Sequence, residues 1–181
     1  MKKSNRNRLT LLVSLSALAV FFSIAAGYAF SLSDKSHLPF GGETLDRPLP
    51  SFALTDTEGN AVSDADFRKG TVILNVFASW CAYCAVEHSV WNALREKRPD
   101  ALVIGSAWAD NPVALKNWLQ KRGNPYSRVI DDPDGKLAMN LGVTGAPETY
   151  LIKNGKIVAR FAGAISEDML YDVLLPFLAS P

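Results

Sequence analysis

The 181-residue sequence predicts an α/β fold, a mixed central sheet with helices on both faces. Three observations carry this. Short apolar runs alternate with longer stretches of helical periodicity, in the order β-α-β-α-β-α. The chain then closes with two alternating runs joined by Asn154-Gly155, a strong hairpin signal, and one more helix. Its only two cysteines, Cys81 and Cys84, stand where an apolar run hands over to a helical one. Open sheets place their sites at such a point, outside the carboxyl end of a strand.

Taken in order, the chain opens with Lys2, Lys3, Arg6 and Arg8, followed by an uncharged stretch from Leu9 to Ser33. Within it, Leu11 to Phe30 is mostly apolar and about long enough to cross a bilayer core of roughly 30 Å. The basic cluster marks the cytoplasmic side. The expected organisation is a basic cytoplasmic N-terminus (1–8), a transmembrane signal-anchor (9–31), a linker (32–47) and a globular domain (48–181). A cleaved signal peptide is the rival, because Gly27-Tyr28-Ala29 is a small-x-small site, but a cleavable apolar core usually spans roughly 7–15 residues. Either way the domain is exported to an oxidising compartment. A dithiol that must stay reduced there needs electrons delivered to it.

Asp34 to Pro50 is polar, Gly- and Pro-containing and without periodicity, hence the linker. Phe52–Leu54 and Ala61–Val62 flank Glu58-Gly59-Asn60 and read as a short hairpin, with a brief helical turn at Ser63 to Phe67. Val72 to Ala78 lacks alternation and reads as a central strand, whose Asn75 needs a hydrogen-bond partner if buried. Ala82 to Arg98 reads as a helix with Val86, Val90 and Leu94 on one face, stopped by Pro99. Ala101 to Ala107 is the next strand. Asn111-Pro112 caps and starts a helix with Leu115, Trp118 and Leu119 on its apolar side, ended by Gly123 and Pro125. Tyr126 to Ile130 reads as a short strand, Asp131 to Gly135 as a turn and Lys136 to Leu141 as a short helix. The hairpin pairs Glu148–Lys153 with Lys156–Phe161. The closing helix is capped by Ser166, with Leu170, Val173, Leu174 and Phe177 inward.

A thiolate, not a thiol, attacks a disulfide. Cys81 at a helix start meets unpaired N–H groups and the positive end of the helix dipole, which favour that thiolate. Cys84, about one turn on, can then attack a mixed disulfide formed at Cys81 and release the partner reduced. Other readings are weaker. A structural bridge closing so short a loop stabilises little. A zinc site needs four protein ligands, and one of the two histidines, His37, falls in the linker. A copper site of Cys81, Cys84 and His88 is the remaining metal alternative. No metal and no cofactor is expected.

Glu87 shares a helix face with Cys84. A buried carboxylate there has a raised pKa and can take the Cys84 proton. Pro147, at the entry to a strand, cannot donate to a ladder, and Glu148 follows it toward the site. Trp80 and Tyr83 border the cysteines. Net charge is +1, but without the four leader cations the rest holds 15 basic against 18 acidic residues. That balance gives no reason to expect nucleic-acid binding.

Phe77 to His88, containing Trp-Cys-x-x-Cys-x-x-Glu-His, together with Gly142-Val143-Thr144-Gly145-Ala146-Pro147-Glu148-Thr149, resembles the membrane-anchored thioredoxin-like proteins of cytochrome c maturation, the CcmG/DsbE group. The likeness runs from about Leu49 to Phe177. It implies a thioredoxin-like fold with an N-terminal membrane anchor helix, and a periplasmic thiol:disulfide oxidoreductase held in the bacterial inner membrane by a single pass. The implied clients are the haem-attachment cysteines of apocytochrome c or a thiol protein of haem ligation. The implied electron donor is a transmembrane thiol carrier of the DsbD/CcdA kind. Cys81 is then the attacking thiol, Cys84 the resolving one, Glu87 the acidic helper and Pro147 a cis-proline facing the dithiol. Such a bond leaves the backbone of Ala146 free to pair with a client's extended chain, beside Trp80, Tyr83 and Glu148. An oxidoreductase for another client, such as copper-site cysteines, is the nearest alternative. Ala82-Tyr83 replaces the family's common proline between the cysteines, a position that tunes redox poise. Asn75 stands where thioredoxins carry a buried acid, which shifts the proton-acceptor role to Glu87.

Overall fold

The computed structural model describes residues 18–24 and 37–179. Residues 18–24 are helical and exposed. The remainder of the expected anchor (9–31), the basic N-terminus (1–8) and residues 25–36 lie outside the described residues. Among the described residues no helix is long and apolar enough to cross a membrane. From His37 onward the chain forms one compact unit.

That unit is built on a nine-stranded sheet in the order β1-β2-β9-β8-β5-β6-β7-β3-β4. The strands are β1 His37–Leu38, β2 Gly42–Pro48, β3 Ala53–Asp56, β4 Ala61–Ser63 and β5 Thr71–Phe77. After them come β6 Leu102–Trp108, β7 Arg128–Asp132, β8 Glu148–Lys153 and β9 Lys156–Ala162. β5, β6 and β7 run parallel, and the other pairings are antiparallel. The helices are α1 Ala82–Lys97, α2 Pro112–Arg122 and α3 Lys136–Leu141, with a composite helix closing the chain. The mixed sheet and its flanking helices are those expected from the sequence.

Alternation along β5 divides the interior in two. Ile73 and Phe77 pack with Trp91 and Leu94 of α1, Leu115 of α2 and Leu170 and Leu174 of the closing helix. Val72, Leu74 and Val76 pack on the other side with Phe67 and with Leu137 and Leu141 of α3. Asn75 points to the first side and is fully buried.

Residues 42–48, expected as part of the linker, are instead a strand of the sheet. β2 pairs antiparallel with β9, Glu43 opposite Arg160 and Pro48 opposite Lys156. Only Gly42 of its seven residues is buried. The strand is held by its ladder rather than by an apolar face, so its sequence carries no period-2 signal. Gly42 is required by contact, because a Cβ there would come within 2.2 Å of the Phe161 ring.

Helix α1 buries Leu94 and packs Val90 against the core as expected, but its inner stripe is wider and leaves Val86 out. Cys84, Glu87, His88, Trp91 and Leu94 are buried, whereas Val86 is 69% exposed. Polar residues occupy the inner stripe because each finds a polar partner there. In the closing helix, Ser166 caps the first turn by accepting from the Met169 N–H. A π turn then spans Leu170–Leu174. Leu170 and Leu174 are buried as expected, Val173 and Phe177 pack partly buried against the same core, and Leu178 joins them. The hairpin turn is as expected, with Asn154 and Gly155 at φ 51° and 79°.

Candidate active site

Cys81 is the N-cap residue of α1, with extended backbone (φ −86°, ψ 118°). Its sulfur accepts a hydrogen bond from the Cys84 backbone N–H at 3.1 Å. No acidic residue occupies the first turn of α1 to oppose the helix dipole. The pair is joined as a disulfide with Cα atoms 5.3 Å apart, so this is the oxidised form. Cys81 keeps 7% of its surface exposed and Cys84 only 2%. A partner therefore reaches the first sulfur more readily.

The loop carrying Cys81 is fixed from the side by Asp110, at the end of the β6–α2 connection. One carboxylate oxygen accepts from the Ser79 backbone N–H at 2.5 Å. The other accepts from the Ser79 hydroxyl at 2.6 Å and the Asn111 N–H at 2.8 Å. Sequence reasoning missed Asp110, because nothing in its spacing ties it to a loop 31 residues earlier.

Opposite the dithiol, the Ala146–Pro147 bond is cis. The Ala146 carbonyl oxygen lies 3.3 Å from the Cys81 sulfur, a position where it accepts from a protonated thiol. Trp80 and Tyr83 flank the site at 60% and 70% exposure. The Trp80 indole N–H donates to the Ala109 carbonyl, and its ring lies against Trp108. Tyr83 projects from the first turn of α1.

Beneath the cysteines, Glu87 is almost fully buried. One oxygen accepts from the Asn75 amide at 3.0 Å and the other from the Ile165 backbone N–H at 2.9 Å. Burial drives its pKa up from the ordinary 4.5 to about 7, and the Ile165, Trp91 and Asn75 donors only partly oppose this. The Trp91 N–H makes no hydrogen bond of good geometry, but it lies near enough to favour the anion. Asn75 thus has the partners its burial demands. Its amide also donates to the Thr149 hydroxyl at 3.3 Å and accepts from the Tyr126 hydroxyl at 2.7 Å.

Two sequence expectations are corrected. Glu148 does not face a client. It is fully buried and opposes Val76 in the ladder, where its neighbour Thr149 opposes Asn75, so its side chain points to the sheet face away from Glu87. There it is ion-paired with Arg160 and accepts from the Tyr150 hydroxyl at 2.5 Å and the Thr144 N–H at 3.2 Å. It braces the Thr144–Pro147 loop from behind. His88 likewise turns from the cysteines: its Nε2 hydrogen-bonds the Gly123 carbonyl at 2.9 Å and its ring packs edge-on to Trp118. Burial lowers its pKa, which keeps it neutral. Among the described residues no three His, Cys, Asp or Glu side chains are gathered as metal ligands, so the Cys81, Cys84 and His88 copper set is not assembled. A groove of about 1350 Å³ beside α2, lined by Pro112, Lys116 and Asp131, includes none of the dithiol residues.

A slightly exposed sulfur at a helix start, a second sulfur behind it, a buried carboxyl that titrates near neutrality and a facing carbonyl form the apparatus of thiol–disulfide exchange. The Redoxin family model matches residues 44–174. The thiol:disulfide interchange protein DsbE of Pseudomonas fluorescens biotype C is 38% identical over 87% of this chain and 88% of its own length. HelX, a thiol:disulfide interchange protein of Rhodobacter capsulatus, is 33% identical over 93% of this chain and 96% of its own. Among solved structures, a secreted thiol-disulfide isomerase from Corynebacterium glutamicum superposes with a TM-score of 0.66. It is 25% identical and covers 80% of this chain and 96% of that one.

Proposed function

This chain belongs to the Redoxin family and is a thiol:disulfide oxidoreductase, and from that premise we propose that it acts as a reductant in cytochrome c maturation. The clients are the oxidised haem-attachment cysteines of apocytochrome c or a thiol protein of haem ligation. The uncharged stretch at 9–31 serves as a single-pass inner-membrane anchor and places the domain in the periplasm. A transmembrane thiol carrier of the DsbD/CcdA kind returns the electrons.

In the reduced protein, the Cys81 thiolate attacks one sulfur of the client disulfide. An S–S bond forms to Cys81 and the client's other sulfur leaves as a thiolate. The Cys84 thiol gives its proton to the Glu87 carboxylate, and the resulting thiolate attacks Cys81. The Cys81–client bond breaks and the client leaves as a dithiol once its thiolates are protonated. Two electrons pass to the client and the Cys81–Cys84 disulfide remains. Ala146 and Pro147 hold the client's extended chain over Cys81, with Trp80 and Tyr83 as apolar rims.

The observation that carries this reading is the placement of the Cys81 sulfur, which receives the Cys84 N–H and lies beside the Ala146 carbonyl. The test is the equilibrium potential of the Cys81–Cys84 couple, with reduction of a peptide carrying an oxidised Cys-x-x-Cys-His motif. A potential near roughly −270 mV and rapid peptide reduction are expected, whereas a value near roughly −120 mV marks an oxidant and overturns the assigned direction.

A further inference from the structure

Glu87 does not hold its orientation alone. The Asn75 amide that donates to it is itself fixed from the other end by Tyr126. Tyr126 lies ahead of β7, 51 positions from Asn75, with its ring stacked on Phe77 at 4.7 Å between centroids. Its hydroxyl donates to the Asn75 oxygen, which commits the amide nitrogen to Glu87 and to the Thr149 hydroxyl. An Asn amide has one accepting and one donating end. Without the Tyr126 hydroxyl it is free to turn its oxygen toward Glu87, which suits a protonated carboxyl and opposes a carboxylate. All four side chains are buried, where such a reversal is felt strongly.

We propose that Tyr126 and Asn75 are positioning residues of the exchange reaction: the Tyr126 hydroxyl locks the Asn75 amide so that it holds Glu87 as a carboxylate oriented to take the Cys84 proton. This rests on the proton-acceptor role given to Glu87 above. The groups around Glu87 are few. Along α1 its neighbours one turn away are Cys84 and Trp91, and Trp91 lies near enough to act on it. From β5 it meets Asn75, whose amide also donates to Thr149 of β8, and from the stretch after β9 the Ile165 N–H. His88 is held neutral by burial and the Gly123 carbonyl takes its Nε2 hydrogen bond. Tyr126, raised by burial and by Glu87 itself, stays a phenol. Among the described residues no Lys, Arg or Asp side chain bonds to Glu87, so the amide is its one side-chain donor of good geometry.

The test follows release of glutathione from its mixed disulfide with Cys81 by stopped flow from pH 5.5 to 9, in wild type, Tyr126→Phe, Asn75→Leu and Glu87→Gln. In parallel, the Glu87 carboxyl is titrated by carbon-13 NMR. In wild type the rate rises with the ionisation of Glu87. In Tyr126→Phe both the rate inflection and the carboxyl titration are expected to move up by about one pH unit. That lowers the rate about fivefold at pH 7 and little at pH 9. Asn75→Leu, of similar volume, should move them at least as far and covers the case in which Tyr126→Phe misfolds. If Glu87→Gln keeps the wild-type inflection, the proton-acceptor reading fails and takes this inference with it. If Glu87→Gln abolishes the inflection while both positioning variants keep it in place, or lose rate equally at every pH, this inference alone is overturned.

Discussion

Replacing Glu87 with Gln should abolish a pH dependence of stability whose size follows from the site. Glu87 is 1% exposed, and burial places its pKa at about 7 against an ordinary 4.5. Between those values the folded chain holds a proton that the unfolded chain has released. Stability is therefore fullest below pH 4.5, falls as the pH rises toward 7 and levels off above the folded pKa. At about 1.4 kcal/mol per pH unit, that interval corresponds to about 3 kcal/mol. Solvent screening removes little of it, because the carboxyl lies beneath the dithiol between α1 and β5. Gln cannot ionise, so the variant lacks this term, whatever constant offset arises from pairing a Gln with the Ile165 N–H. Urea unfolding with the disulfide intact, at intervals from pH 4 to 8.5, gives the comparison directly. Relative to the variant, the wild type should lose about 3 kcal/mol across the range. Parallel stability curves would mean that Glu87 ionises in the folded protein as freely as in water, and would refute the proton-acceptor assignment.

After reduction, Cys81 should be alkylated by iodoacetamide well before Cys84, as read by mass spectrometry of timed samples; equal, slow alkylation of both would contradict the helix-start argument. Arg160→Leu should cost about 3 kcal/mol in urea unfolding, because it leaves Glu148 buried with its charge partner gone; a loss under about 1 kcal/mol would show that the Tyr150 and Thr144 bonds suffice. Asp110→Ala removes three hydrogen bonds to Ser79 and Asn111. It should cost about 2 kcal/mol and slow the reaction at Cys81, measured by thermal unfolding and by reduction of a small disulfide; unchanged values for both would remove its role as a clamp.

Much of the fold was legible because its signals are local. Asn154-Gly155 set the hairpin, Asn111-Pro112 the start of α2, and the non-alternating, largely apolar run at β5 its central place. The dithiol was legible for the same reason, since its chemistry depends on spacing within one turn of helix. What escaped depends on contacts remote in sequence. β2 offers only Leu45 to the core and exists mainly through its ladder with β9. The full inward stripe of α1 could not be read from hydrophobicity, because Glu87 and His88 are buried to meet Ile165, Asn75 and Gly123. Glu148 sits beside Pro147 in the sequence, yet strand alternation sends it to the opposite face. The clamp by Asp110 has no signature within its own segment.

The measurement closest to the central claim is a trapping experiment with a peptide carrying an oxidised Cys-x-x-Cys-His motif. Reduced Cys84→Ser protein should accumulate a mixed disulfide with the peptide that maps to Cys81, and reduced Cys81→Ser protein should accumulate none. An adduct that forms on Cys84 in the Cys81→Ser protein as fast as on Cys81 in its counterpart would contradict the assignment of the helix-start sulfur as the attacking group.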